Sequence, residues 1–243
     1  MIIVRAEERE HFDKIADIFD THYNVYLRAT GKLRVKRRID LFSRHCQLKS
    51  GLKMLEIGAG TGEYSKRLLE YDCSLFCTDI SYNMLNKAVK KIQKQNNLYF
   101  FISDIEQAPL KDNIFDVVVG NSILHHLDIE KALNQIFLLL KKDGRFAFSE
   151  PNMFNPQVFL QKNIKFFKRI SGDSPKEVAF YRWQIKELFR KAGFRSVCVE
   201  PFDFLHPYTP GSLVKIVGKM GLVLEKTPLI KEIAGSLFIT GIK

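Results

Sequence analysis

The sequence is poor in the residues that would make it a disulfide scaffold, a zinc protein or a membrane span. It has four cysteines in 243 residues, Cys46, Cys73, Cys77 and Cys198. Cys73 and Cys77 have no second pair at metal-ligand spacing, and a strand through them puts both on one buried face. The four are therefore expected as core thiols in a reducing compartment, with no metal site. No apolar run approaches the ~18 residues of a spanning helix. The opening Met-Ile-Ile-Val-Arg-Ala-Glu-Glu turns acidic too soon for a secretory signal, which predicts a soluble cytoplasmic chain. Acidic residues are also in short supply: 27 stand against 38 basic ones, a formal charge of +11. That surplus favours anionic partners such as nucleic acid, anionic lipid or phosphorylated small molecules, the plainer reading being a basic solubilising surface.

Against these absences, 46% of the residues are hydrophobic, and the length suits a single domain built on one large α/β core. Residues 52–62, Leu-Lys-Met-Leu-Glu-Ile-Gly-Ala-Gly-Thr-Gly, read as a buried strand, a tight turn and a helix start. Glycine removes the Cβ that would hold a ligand off the backbone, and a helix start offers unpaired N–H groups, so a cofactor site is expected there.

Helical periodicity runs through residues 8–47, broken only by the basic cluster Arg34, Lys36, Arg37 and Arg38, which reads as a solvated face. Further strands are predicted at 74–79, 98–103, 115–120, 145–150, 194–200 and 236–243. Helices are predicted from Glu63, from an N-cap at Ser81, over 129–141 and over 183–192. Alternating strands and helices imply a mostly parallel sheet with right-handed crossovers. Residues 1–50 form an N-terminal helical segment, 51–150 the cofactor-binding core, and 151–181 and 201–235 cap insertions.

In such a sheet ligands lie beyond the carboxyl ends of the strands. Glu56, Asp79, Asp104 and Asn121 fall there. A dinucleotide fingerprint, G-x-G-x-x-G, is missing: counting from Gly58 or from Gly60 puts Glu63 or Ser65 at its third glycine. Glu56 and Glu63 beside the turn would also repel a pyrophosphate, and suit a cationic cofactor better. Asp79, about twenty residues beyond Gly58, is placed to accept hydrogen bonds from ribose hydroxyls.

These pieces resemble the class I S-adenosylmethionine-dependent methyltransferases, specifically the small-molecule group called type 11. The resemblance rests on Glu56-Ile57-Gly58-Ala59-Gly60-Thr61-Gly62, Asp79, Asp104 and Phe115-Asp116-Val117-Val118. It continues through Ser122-Ile123-Leu124-His125-His126-Leu127 and Leu140-Lys141-Lys142-Asp143-Gly144-Arg145. It implies a Rossmann-like seven-stranded sheet with an antiparallel last strand. It also implies that Glu56, Gly58, Ala59, Gly60 and Thr61 border the methionine part of S-adenosyl-L-methionine. Asp79 and Ile80 would then hold the ribose, Asp104 and Ile105 flank the adenine, and Asn121 meet the ammonium through its backbone.

A sulfonium methyl is already a strong electrophile, so holding an acceptor in line supplies most of the catalysis. For a hydroxyl acceptor, His125 or His126 at the mouth of the site is the candidate general base, with a cofactor-side or structural role as the alternative. Glu150-Pro151-Asn152 and Asn155-Pro156 resemble an element of family members acting on sugars or lipid-linked intermediates. Phe154, Val158, Phe159, Phe166 and Phe167, interleaved with Lys162, Lys165, Lys168 and Arg169, form a basic amphipathic lid, with peripheral contact to a membrane surface as the second reading. Tyr23, Tyr26, Arg37, Tyr181, Trp183, His206 and Tyr208 are candidates for the acceptor pocket. Methyl transfer to an oxygen of a small-molecule or a lipid- or sugar-linked acceptor is the expected activity. The alternatives are RNA methylation, disfavoured because neither an Asp/Asn-Pro-Pro-aromatic nor a Pro-Cys signature follows the fourth strand, and a non-catalytic cofactor-binding regulator.

Overall fold

The protein is described by a computed structural model covering residues 2–23, 26–93, 95–164 and 177–243. Its seven strands are β1 (Lys53–Ile57), β2 (Ser74–Asp79), β3 (Leu98–Ile102), β4 (Phe115–Asn121), β5 (Leu140–Pro151), β6 (Arg195–Phe202) and β7 (Ser236–Ile242). They form one sheet in the order β3-β2-β1-β4-β5-β7-β6. Only β7 runs antiparallel, to β5 on one side and β6 on the other. The order reverses between β1 and β4, so the crevice above their carboxyl ends is the place for a ligand.

Eight helices are described: α1 (Ile2–Ile15), α2 (Ala29–Cys46), α3 (Glu63–Leu68), α4 (Tyr82–Lys91), α5 (Ile129–Leu139), α6 (Pro156–Asn163), α7 (Arg182–Lys191) and α8 (Val214–Leu224). Leu55, Ile57, Phe146 and Phe148 point to one face of the sheet and pack with α5 and α7. Met54, Leu75, Val117 and Ala147 point to the other, under α2, α3 and α4. Alternate residues of a central strand thus enter opposite cores, which is why β4 and β5 read as continuous apolar runs. At Ser81 the expected cap is present, its Oγ accepting from the Met84 N–H at 3.1 Å.

Several expectations are corrected. The helix expected over residues 8–47 is interrupted: α1 stops at Ile15, a π-helical turn spans Phe19–Tyr23, and α2 starts at Ala29. Thr21 Oγ1 bonds the Ile18 carbonyl, competing with helix hydrogen bonding. Helix α5 ends at Leu139, and Lys141 pairs with Asp116 at 2.7 Å instead of lying at the helix end. Cys46, Cys73 and Cys77 are buried, whereas Cys198 is exposed.

The basic cluster of α2 is not a solvated face. Arg38 is buried and, with Arg34, holds Asp203 at 2.8 Å. Arg37 pairs with Glu225. Only Lys36 stands in solvent, paired with Asp40. Three of the four cations therefore clamp the segment after β6 onto α2. Lys165, Phe166, Phe167, Lys168 and Arg169 of the expected lid lie outside the described residues.

Candidate active site

A cavity of about 940 Å³ opens above the carboxyl ends of β1, β2 and β4. Its floor is the turn after β1. Gly58 and Gly60 have φ of +69° and +53°, a left-handed conformation that costs other residues about 1–2 kcal/mol. A Cβ on Gly58 would lie 2.8 Å from the Ile123 side chain, so bulk is excluded there. A Cβ on Gly60 would meet only Phe19, at 3.8 Å, so at that point backbone faces the open cavity. Asp79, at the end of β2, organises this turn. Its two carboxylate oxygens accept from the Gly60 N–H at 2.8 Å and the Ser81 N–H at 2.9 Å.

Gly58, Ala59, Gly60, Thr61, Asp79, Ile80, Ile105 and Asn121 all line the cavity. Glu56 and Asp104 do not. Glu56 is buried behind the turn, accepting from Ser65 Oγ at 2.5 Å and from Cys77 Sγ at 3.4 Å. Asp104 caps a short helical turn by accepting from the Glu106 N–H, while its neighbours Ser103 and Ile105 form the wall. Glu63 faces the cavity and is neutralised by Lys91 at 2.8 Å. Asn121 Oδ1 is buried with no hydrogen-bond partner among the described residues. A buried, unfilled acceptor beside a turn without side chains fits the ammonium end of S-adenosylmethionine.

Burial pushes the Glu56 carboxyl up to about 7. The folded state then holds a proton that the unfolded chain releases near 4.5. Its contribution is fully present below pH 4.5 and lost as pH rises through 7, a change of about 3 kcal/mol. Urea midpoints of wild type and Glu56→Gln should therefore diverge between pH 5 and 8 in favour of the variant. A difference that stays flat with pH would show that Glu56 does not titrate in this range.

The N-terminal segment forms the roof, a feature that helical periodicity did not reveal. Phe12, Ile15, Ile18 and Phe19 line the cavity. A row of carboxylates fastens the segment to α4. Asp13 accepts from Ser81 Oγ and the Asn83 N–H, Asp17 pairs with Lys87 at 2.8 Å, and Asp20 pairs with Lys91 at 2.7 Å. Asp20 also accepts from Thr61 Oγ1 at 2.5 Å, in the glycine turn itself.

The two histidines follow β4 on a short helical turn, with Ser122 in a left-handed conformation at φ 53° beneath them. They have opposite electrostatics. His125 is buried between two carboxylates, Glu150 Oε2 at 2.6 Å from Nδ1 and Glu177 Oε1 at 3.2 Å from Nε2. Burial opposes its charge, but the carboxylates outweigh it and lift His125 to about 9. His126 is pushed down, first by burial and then by the charge on His125. Its Nδ1 faces Glu8 of α1 at 3.4 Å, and its ring packs edge-on against Phe12. The rings of His125 and His126 lie 4.1 Å apart.

Glu150, expected as the end of the fifth strand and part of an element resembling one in family members acting on sugars or lipid-linked intermediates, is the anchor of this turn. Besides His125 it accepts from the Ile123 and Leu124 N–H groups. Glu177 is shared with Lys162 of α6. Ligand atoms of His125, His126 and Glu177 lie within 4.8 Å of one another. The His125 proton and the Lys162 ammonium already supply positive charge to that cluster.

Of the expected acceptor-side residues, Tyr26, His206 and Tyr208 line the cavity, as do Val158 and Lys162 of α6. Arg37 is turned to Glu225, and Tyr181 and Trp183 stack on each other outside the cavity, 4.9 Å apart. The Tyr23 side chain lies outside the described residues.

The comparisons with known proteins agree with this geometry. A family model described as a methyltransferase domain matches residues 55–148. The malonyl-[acyl-carrier protein] O-methyltransferase of Geobacter sulfurreducens is 28% identical over 68% of this chain and 66% of its own length. This chain thus matches slightly less than two thirds of that relative. A ubiquinone/menaquinone biosynthesis C-methyltransferase of Haemophilus ducreyi is 25% identical over 80% of this chain and 84% of its own. Among solved structures, an S-adenosylmethionine-dependent methyltransferase of Thermotoga maritima, described as a possible histamine N-methyltransferase, superposes with a TM-score of 0.67. It is 20% identical and covers 97% of this chain and 99% of its own. Phosphoethanolamine N-methyltransferase 2 of Haemonchus contortus, in complex with S-adenosyl-L-methionine, gives 0.62 at 18% identity, over 96% of this chain and 60% of its own. The matched domain spans the glycine turn and Asp79, the solved structures share the fold, and together these similarities support a class I S-adenosylmethionine-dependent methyltransferase.

Proposed function

We propose that the chain transfers a methyl group from S-adenosylmethionine to a hydroxyl of an amphiphilic small molecule, lipid- or sugar-linked. The observation that carries this reading is one cavity with two halves: a polar floor of glycine backbone, Asp79 and Asn121, and a largely apolar roof with a neutral imidazole, His126, between them. Its volume lies at the upper end of the ~300–1,000 Å³ typical of ligand pockets, as a site for donor and acceptor together requires.

The bound cofactor supplies an electrophilic methyl group on a sulfonium. Asp79 and Ile80 are assigned to the ribose, Ser103 and Ile105 to the adenine, and Asn121 with the backbone of Gly58, Ala59 and Gly60 to the aminoacyl end. Apolar groups on α1, the π-helical turn and the cap, Phe12, Phe19 and Leu205 among them, hold the acceptor and exclude water, which positions its oxygen behind the methyl group.

Of the two histidines only His126 suits general-base work. His125, lifted to about 9, already carries its proton near neutrality, whereas His126 is neutral and can take the proton of the acceptor hydroxyl. Environments that drive paired titratable groups apart are a recurring mark of divided acid and base roles. Glu8 then faces the imidazolium that forms. The names of the relatives include an O-methyltransferase and quinone-pathway C-methyltransferases, and the second of these supports an amphiphilic acceptor.

The test follows label from [methyl-³H]S-adenosylmethionine into detergent-dispersed polar lipids and prenyl quinols. Label should enter the organic phase, and His126→Gln should slow transfer about a hundredfold or more, with S-adenosylhomocysteine affinity within about threefold. Equal losses in both would remove the base role. Label confined to water-soluble products would remove the amphiphilic acceptor.

A further inference from the structure

The surface beside the cavity carries an apolar patch that the fold does not use. On α8, Val214 and Gly221 face inward, and Gly221 backs onto Phe204 of the cavity wall. The opposite side shows Leu213, Ile216, Met220 and Val223, each 46–65% exposed. At 100° per residue these four, with Leu213 at the helix N-cap, form one stripe; Lys215 and Lys219 lie along its flank, and Lys226 follows in the turn just past the helix. None of those lysines joins an ion pair among the described residues. Past α8 the chain turns at Leu229, a residue 85% exposed whose φ of 67° is rare for a bulky residue.

The patch continues. Asn155 Nδ2 donates to the Ile233 carbonyl and Arg182 pairs with Glu232, which brings the exposed Ile230 and Ile233 beside Phe154 and Trp183. Trp183 is 58% exposed and stacked on Tyr181, with Phe154 edge-on to both. Aromatic residues with one apolar and one wet side, an apolar stripe and unpaired lysines in one surface are the makeup of an element that lies in a bilayer interface.

We infer that this face, formed by α8, the 229–233 turn and the Phe154–Trp183 platform, docks the protein on anionic lipid membrane. Charge decides the occupant. A second copy in a two-fold dimer would set the patch, with its lysines, against itself. A nucleic acid would satisfy the lysines but leave Val223 and Leu229 without partners. An anionic bilayer takes both, and the overall charge of +11 adds long-range attraction. Because α6 and the segment after β6 both contribute to the cavity wall, docking sets the acceptor half of the site close to the lipid. This deepens the amphiphilic-acceptor reading.

The chain's single tryptophan lies in the patch and reports the event. The protein is mixed with phosphatidylcholine vesicles with and without phosphatidylglycerol, and Trp183 emission and co-sedimentation are followed across salt concentration. Binding should require phosphatidylglycerol, weaken with salt and shift emission to the blue. The combined Lys215→Gln, Lys219→Gln, Lys226→Gln variant should bind about a hundredfold more weakly. Val223→Ser with Leu229→Ser should lose at least tenfold even at low salt. S-adenosylhomocysteine affinity, measured separately, should not change in either, so a failed docking result is distinguishable from a failed methyltransferase reading. No binding at low salt, binding with unchanged emission, a dimer broken by the Val223 and Leu229 substitutions, or lysine-dependent RNA binding without vesicle binding would each overturn the proposal.

Discussion

Arg38→Ala is expected to destabilise the fold by about 4 kcal/mol, a fall of about 10 °C in Tm for a chain of this length. Arg38 is buried, and its guanidinium has four partners: Asp203 at 2.8 Å, Ser149 Oγ at 3.1 Å, Ser236 Oγ at 3.0 Å and the Arg34 carbonyl at 3.3 Å. It therefore ties α2 to β5, β7 and the segment after β6. Removing it leaves Asp203, itself 1% exposed at the side chain, with Arg34 as its one cationic partner among the described residues, beside the Leu205 N–H at 3.2 Å. The cost is that of a stranded buried charge, not of a weak surface pair. Two controls separate these. Arg38→Met with Asp203→Leu removes both charges and should recover most of the loss.

The second control is pH. Burial pushes the Asp203 carboxyl up, but Arg38 and Arg34 outweigh it and hold the group well below the usual carboxylate range. A depressed folded pKa contributes stability that is present above the unfolded value, about 4, and lost as pH falls. The deficit of Arg38→Ala, read from urea midpoints, should be full at pH 7 and shrink below pH 4. A loss under 1 kcal/mol at pH 7 would show that the clamp is marginal.

Asp79→Ala should weaken S-adenosylhomocysteine binding about a hundredfold or more while leaving the protein folded. The carboxylate is proposed to accept from the ribose and already accepts from the Gly60 and Ser81 N–H groups. Hydrogen bonds to a charged acceptor are worth about 1.5–3 kcal/mol each. The alanine variant loses the ligand contact and also the fixed position of Gly60, where backbone faces the cavity. Asp79→Asn keeps one acceptor oxygen and should lose only about tenfold. Calorimetry distinguishes the cases, and a folded alanine variant that binds within threefold of wild type would remove Asp79 from the site.

What was legible in the sequence was local. The glycine turn, Asp79 and the Ser81 cap depend on spacing within one strand-turn-helix unit, and the strands of the sheet announced themselves by composition. The electrostatics were not legible, because they depend on pairs that only the fold brings together. Arg34 and Arg38 looked like solvated cations on an amphipathic helix, and their counterion Asp203 is remote in the chain. His125 and His126 are adjacent and chemically identical in sequence. Glu150 and Glu177 on one side and Glu8 on the other make one an acid and the other a base candidate. Glu56, at the head of the glycine motif, was assigned to the cofactor. The pleat of β1 sends its side chain behind the turn, to Ser65 and Cys77.

The placement of β7 has a consequence for how the chain folds. Because β6 bonds only to β7, and β7 lies between β6 and β5, residues 195–202 have no sheet partner until residues 236–242 are made. In vectorial synthesis the five strands from β3 to β5 can assemble first, while β6 waits on an unpaired edge. The Asn152 side chain, which holds the Glu232 and Ala234 carbonyls at 2.8 Å, then guides the final strand into its slot. The half of the sheet that carries the cap is thus the last to form, and the acceptor side of the cavity exists only once the closing strand is home.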